Sequence, residues 1–242
     1  MSDPFELRDD QVANPEEHVF GKQHVCRTEM RGQSHSGHEG LFEIVVGMAK
    51  TIPLWATGVV LRYRFDSRSF RRFADPEAAK AAIRGLLGKA IAEWGAAAPV
   101  AFAEKKSNFD FEIVARNADD CDINGCVLAS SFFPGTAQQK LTIYPRMFEQ
   151  SAVEQIATIV HELGHVFGLR HYFAQISETQ WASQTFGTHN KFSIMNYGKD
   201  SILTDADRAD LRDLYSKARS GTLTHINVAK IELFKPFSAL SV

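Results

Sequence analysis

No window of this 242-residue sequence approaches the roughly 18 consecutive apolar residues that a membrane-spanning helix needs, so a helical bilayer protein is excluded at the outset. Charge of one sign is lacking as well. Lys and Arg number 27 against 29 Asp and Glu, and a formal net charge of −2 gives no broad drive toward nucleic acid or an anionic membrane surface. Cysteine is scarce: Cys26, Cys121 and Cys126 are too few for a disulfide framework. The opening Met1-Ser2-Asp3-Pro4-Phe5-Glu6 has neither the basic start nor the apolar run of a secretory signal peptide, which leaves localisation open. Internal repeats are absent too.

What is present suits one well-buried core. The hydrophobic fraction is 44%, with 18 Phe, in a length typical of a single domain. Residues 1–40 mix acidic, Gln, Ser, Gly and His residues without periodicity and read as an irregular amino-terminal extension. Within them His18, His24, His35 and His38 read as part of a polar tail. The folded domain is expected over 41–220. Residues 221–242 have strand-like pieces and read as a carboxy-terminal extension.

Val59, Leu61, Tyr63 and Phe65 alternate with Val60, Arg62 and Arg64, the period of a strand with one buried face. Arg62 and Arg64, with Arg68, Arg71 and Arg72, read as a solvated basic face. Asp75-Pro76 opens a helix with an N-cap acceptor and a proline at the first helical position. Ile83, Leu87, Ala90, Ile91 and Trp94 then recur at helical spacing and should pack on a sheet. Strands are expected at 99–103, 109–115, 126–133 and 141–144. Ser151 with Glu154 forms a capping box for a second helix running to about Gly168, and Thr204 with Asp207 caps a third.

The densest chemistry lies in His161-Glu162-Leu163-Gly164-His165-Val166-Phe167-Gly168-Leu169-Arg170-His171. Residues four apart lie one turn above each other on a helix, so His161 and His165 project two imidazoles from one face. Zinc in a hydrolytic site takes three protein ligands and keeps a fourth position open, so a third donor must come from outside the helix. Gly168 can adopt the left-handed conformation that ends the helix and lets His171 swing back. Glu162 is displaced around the helix from His161, where its carboxylate can take the proton of an attacking water and pass it to the leaving amine. Five matching positions, rather than a bare pair of histidines, separate this pattern from coincidence.

These five positions resemble the long zinc motif of the metzincin metalloproteases. Ser193-Ile194-Met195-Asn196-Tyr197 resembles their Met-turn, in which a methionine, here Met195, floors the metal site. Val127 to Gly135 resembles the matrixin edge strand, and Leu203 to Tyr215 the closing matrixin helix, so the resemblance covers roughly residues 54–217. It implies an α+β, zincin-like catalytic domain: a twisted, mostly parallel five-stranded sheet with an antiparallel edge strand and about three helices. It also implies one catalytic zinc ion on His161, His165 and His171, Glu162 as general base, and a protein or peptide substrate pairing as an extra strand along Val127, Leu128, Ala129 and Ser130. A monomer, exported in the manner of the family, is the accompanying expectation.

The sequence also departs from the family pattern. Ser130 stands where matrixins place a histidine ligand of a second zinc, so that second ion is not expected. Tyr197, two residues after Met195, is closer to the astacin and serralysin Met-turn, and is left between an oxyanion stabiliser and a packing residue. Asp120, Asp122 and Asn124 alternate like the start of a calcium loop where matrixins bind calcium. Ser131 replaces the bidentate Glu of a helix-loop-helix hand, so the choice is between a structural calcium and a polar turn. Cys121 and Cys126 flank that turn and are either bridged, as an oxidising compartment would favour, or reduced. Cys26 stands between an incidental thiol and a latency ligand for the fourth zinc position, although His24-Val25-Cys26-Arg27 does not match the usual matrixin switch. Besides a general endopeptidase, a toxin or effector protease with one narrow target and a catalytically silent zinc-binding protein remain as rivals. An intact Glu162 argues against the silent protein.

Overall fold

The computed structural model describes residues 4–5, 24–25, 51–122, 125–170, 193–195, 202–226 and 228–240. In chain order its elements are β1 (His24–Val25), β2 (Thr51–Trp55), β3 (Val60–Phe65), α1 (Pro76–Trp94), β4 (Ala101–Glu104) and β5 (Phe111–Ala115). A short hairpin follows, β6 (Cys121–Asp122) and β7 (Gly125–Val127), then β8 (Ala129–Ser130) and β9 (Gln139–Ile143). The remainder is α2 (Pro145–Phe148), α3 (Ala152–Val166), α4 (Asp205–Ser220), β10 (His225–Ile226), β11 (Ala229–Phe234) and α5 (Phe237–Leu240). Among the described residues no helix is long and apolar enough to cross a membrane.

Local chemistry accounts for the principal elements. In β3 the alternation buries Leu61, Tyr63 and Phe65 and turns Arg62 and Arg64 toward the other face. Asp75 caps α1 by accepting from the main-chain N–H of Glu77 (3.0 Å) and Ala78 (2.9 Å), with Pro76 in the first turn. Both capping boxes form: the Ser151 hydroxyl and Glu154 carboxylate exchange hydrogen bonds with each other's backbone, and Thr204 and Asp207 do the same.

The principal sheet has the order β4-β3-β5-β9-β8, parallel throughout except for β8, which runs antiparallel to β9 at the edge. The α+β architecture expected of the resemblance is therefore present. One face of this sheet shares a core with α1 and α3. The two helices are tied where the fully buried Trp94 donates its indole N–H to the Val160 carbonyl at 3.0 Å and meets Phe167 edge-on at 5.5 Å. Removing a ring of that size from such a site costs about 3–5 kcal/mol.

Two smaller sheets flank it. β11 pairs in parallel with β2, with Lys230 opposite Thr51 and Phe234 opposite Trp55, while β10 pairs with β11. β11 thus reaches back to β2. In the third sheet β1 lies parallel to β7, with Val25 opposite Val127, and β7 is antiparallel to β6. Cys121 and Cys126 are bridged across this hairpin. Phe5 stacks on Phe148 at 4.5 Å and meets Phe73 at 6.1 Å, adding to an aromatic cluster that includes Phe70 and Phe65.

The basic cluster is not wholly a solvated face. Arg68 and Arg71 are exposed, and Arg64 pairs with Glu112 at 2.7 Å beneath the Phe109 ring. Arg72 differs: its Nε and Nη1 are buried without a hydrogen-bond partner among the described residues, and burial lowers its pKa from the ordinary guanidinium value.

Candidate metal centre

The last two turns of α3 are buried on every side, His161, Glu162 and His165 included, with His165 wholly so. A polar side chain is retained in such a place only if its hydrogen-bonding capacity is used. Nδ1 of His161 lies 2.6 Å from the Ile194 carbonyl oxygen, and Nδ1 of His165 lies 2.8 Å from that of Leu169. A carbonyl only accepts, so each Nδ1 carries a hydrogen, and in the neutral form of each ring the lone pair lies on Nε2. The two rings stand 4.9 Å apart between centroids and nearly perpendicular, at 84°. Two imidazoles with tautomers set by backbone acceptors are the donor arrangement that suits zinc, so this pair fits the ion.

The end of the helix is built to aim His165. Gly168 adopts φ +91°, its N–H donates to the His165 carbonyl (2.8 Å), and the Leu169 N–H donates to the Gly164 carbonyl (2.9 Å). A side chain at Gly168 would also meet the Pro53 carbonyl oxygen at 2.8 Å. The turn brings the Leu169 carbonyl back to the His165 ring.

Met195 is buried beneath the helix, next to Ile194, whose carbonyl orients His161. Its sulfur occupies the space that a Cβ on Gly164 would take. Ser193 joins this segment to α4: its hydroxyl donates to the Asp207 carboxylate at 2.6 Å and accepts from the Met195 N–H at 3.2 Å. Asp207 thereby serves the α4 cap and the methionine segment at once.

Gly164 and the Ser193–Asp207 link were not among the expected site residues. A glycine between two predicted ligands in mid-helix was a usable signal, because glycine there is costly unless something approaches closely.

The edge-strand residues Val127, Leu128, Ala129 and Ser130 are all buried. They form two short strands rather than one, broken at Leu128, whose carbonyl accepts from the Tyr144 N–H at 3.0 Å. Immediately after them, the Ser131 hydroxyl donates to the main-chain carbonyl of Glu162 at 2.9 Å, tying the edge to the metal helix. Asp120 precedes the bridged hairpin, its carbonyl accepting from the Val127 N–H at 2.8 Å, and Asp122 lies on β6. His171, Tyr197, Cys26 and Asn124 lie outside the described residues. Among the described residues, accordingly, no three His, Cys, Asp or Glu side chains form a metal-holding group.

The family model described as Matrixin matches residues 55–215. No curated protein matches the chain. Similar solved structures include two of myroilysin. One has TM-score 0.44 and 15% identity, covering 67% of this chain and 95% of that one. The other has TM-score 0.45 and 14% identity, covering 87% and 98%. A hatching-enzyme zinc-protease from the medaka Oryzias latipes, high choriolytic enzyme 1, gives TM-score 0.43 and 14% identity over 67% of this chain and 94% of that one. Because the matrixin match spans well over half of the sequence, the chain belongs to the matrixin family of zinc metalloendopeptidases.

Proposed function

We propose that this chain hydrolyses internal peptide bonds through His161, His165 and His171 as ligands of one zinc ion and Glu162 as the general base. The observation that carries the reading is the pair of buried imidazoles with both Nδ1 atoms committed to backbone carbonyls, which leaves Nε2 as the metal-facing nitrogen of each. Bound zinc would act as a Lewis acid toward the scissile carbonyl and lower the pKa of a water at its open position. Glu162 would serve as the base that accepts a proton from the attacking water and the acid that delivers it to the departing amine. Its main-chain carbonyl accepts from the Ser131 hydroxyl, which ties α3 to the segment following the edge strand along which the substrate would pair.

Residues 41–220 are proposed as the catalytic unit. Tyr197 is proposed to steady the developing oxyanion. Tyr197→Phe should then lower kcat with KM little changed, and unchanged turnover would leave it a packing residue. A structural calcium at Asp120, Asp122 and Asn124 is supported only by their alternation. It predicts a melting temperature that rises with added calcium, and an unchanged one counts against it.

A latent form is favoured by one specific observation. His24–Val25, immediately before Cys26, lies as a strand along Cys126–Val127, on the edge a peptide would otherwise use at Val127. We propose that residues 1–40 act as a propeptide and that Cys26 takes the fourth zinc position. Cys26→Ser should raise the activity of the full chain, and unchanged activity would end that idea.

The test of the whole reading is cleavage of a diverse peptide library by the chain and by Glu162→Ala, each with and without a zinc chelator. Cleavage abolished by either change is the expected result. Cleavage confined to a single protein would favour the narrow-target protease. Zinc binding without any cleavage, even after removal of residues 1–40, would favour the silent protein.

A further inference from the structure

The last residues of α3 are held by side chains that come from outside the helix, and the strand beyond residue 221 pairs with the backbone that carries one of them, Trp55. A helix leaves its final four carbonyls without partners in the helix. Here the turn at Gly168 takes the Gly164 and His165 carbonyls. The next two go elsewhere: the Val166 oxygen accepts from the Trp55 indole N–H at 2.7 Å, and the Phe167 oxygen from the Tyr215 hydroxyl at 3.0 Å. The Tyr215 oxygen also accepts from the Trp55 main-chain N–H at 3.2 Å, so the two residues form one linked clamp.

The position of the clamp gives it chemical meaning. The peptide joining Phe167 and Gly168 is fixed at both ends, its oxygen by Tyr215 and its N–H by the His165 carbonyl. The following residue is Leu169, whose carbonyl orients the His165 ring at 2.8 Å, and two residues later comes His171. If that peptide plane rotates, the acceptor that sets the His165 tautomer moves with it. The helix restrains that rotation through the Gly168 and Leu169 N–H groups on the His165 and Gly164 carbonyls, and the Tyr215 hydroxyl adds a restraint on the peptide oxygen from outside the helix.

Trp55 is held by elements that lie largely beyond the matrixin match, which runs from 55 to 215. β11 pairs with all five residues of β2, and the Phe234 carbonyl accepts from the Ala56 N–H at 2.9 Å. Arg219 lies over the Tyr215 ring and donates to the carbonyls of Trp55 (3.2 Å), Ala56 (3.0 Å) and Pro99 (2.8 Å). Ala229 and Ile231 bury the inner face of β11.

We propose that Tyr215 and Trp55 are positioning residues for the second zinc ligand, His165, and that the carboxy-terminal strand β11 serves to keep Trp55 in place. The proposal rests on the metal reading above. Residues 229–234 would thereby have a function in the metal site, although no motif lies in them.

The test uses the full chain and its Tyr215→Phe variant, which keeps the ring over Arg219 and loses only the hydroxyl. Zinc affinity is measured on the metal-free protein by competition with a chromophoric chelator. The visible spectrum of the cobalt-substituted form and the thermal midpoint of the metal-free form are recorded alongside. Tyr215→Phe should bind zinc about tenfold more weakly, at the lower end of what loss of an outer-sphere partner costs, and shift the cobalt bands. Ile231→Ala should move both readouts the same way through β11. Ile113→Val, in the sheet core and distant in sequence from the clamp, should lower the thermal midpoint while leaving zinc affinity and spectrum unchanged.

The proposal is overturned if Tyr215→Phe binds zinc as tightly as the parent chain, or if Ile113→Val loses as much affinity for the same loss of midpoint. A parent chain that binds no zinc would instead sink the metal reading on which the proposal stands.

Discussion

Replacing Gly164 by alanine places a single methyl group between the metal helix and the methionine segment. The new Cβ falls on the Met195 sulfur, with the Met195 Cε at 3.2 Å and a Trp94 ring carbon at 3.6 Å, so Met195 has to move. Two effects oppose each other. Alanine in mid-helix gains roughly 0.5–1 kcal/mol over glycine, whereas overpacking a filled core costs about 1–3 kcal/mol. The net loss therefore lies between about 0 and 2.5 kcal/mol, in the lower part of that range because the displaced atoms are the flexible end of a methionine. Met195→Ala alone, leaving a hole under the helix, should cost about 2–5 kcal/mol. In the double variant the added methyl fills part of that hole, so its loss should fall short of the sum by about 1–2 kcal/mol. Urea unfolding of the metal-free chain, read as the midpoint at constant slope, measures all three. Losses that add to within about 0.5 kcal/mol would refute the claim that Gly164 exists to admit Met195. Turnover should fall in Gly164→Ala by more than its stability loss explains, because Ile194, the acceptor for His161, adjoins the displaced residue.

Gly168→Ala should be worse than Gly164→Ala, with a loss above about 2 kcal/mol, because a left-handed conformation is joined to a clash with the Pro53 carbonyl, which belongs to backbone and yields little. Equal urea midpoints for the two variants would contradict this. Ser193→Ala removes the hydroxyl between Asp207 and Met195 and should cost about 1–3 kcal/mol, together with a fall in kcat. A variant as stable and active as the parent would show that the link is idle. The Arg84 side chain holds the Glu104 carboxyl below its ordinary pKa through two hydrogen bonds of 2.6 and 2.8 Å. A carboxyl lowered in the folded state stabilises fully above its unfolded pKa, and the contribution is lost as pH falls through the folded value. Arg84→Met should therefore be slightly less stable than the parent at neutral pH, by up to about 1 kcal/mol for a pair this exposed, and the difference should vanish in acid. A difference that persists at low pH would point to packing of the arginine over Phe65 instead.

Features that depend on neighbours in the chain were legible in the sequence. The alternation from Val59 to Phe65, the Asp75 cap and the two capping boxes are decided within a few residues, and each is present. The same holds for the pair His161 and His165, whose shared face follows from helical spacing alone. Features that depend on remote partners were not legible. β11 buries Ala229 and Ile231 on one face, although Leu233 on that face is exposed, and nothing in Ala229 to Phe234 names Thr51 to Trp55 as its partner. The single strand expected over 126–133 is broken at Leu128, where the chain changes partners from β6 and β1 to β9. Asp207 could be read as a cap, but its second oxygen, which receives Ser193, belongs to tertiary structure. Arg72 read as solvated with its neighbours because charge pattern carries no information on which arginine the surrounding aromatic residues will cover.

Zinc content and peptide cleavage measured on one preparation of Glu162→Gln test most directly whether Glu162 moves the proton while the histidines hold the metal. One zinc ion per chain is expected, as in the parent, with turnover lower by about 10²–10⁴-fold, the range for losing a general acid–base group. Zinc retained together with parental turnover would contradict that role of Glu162.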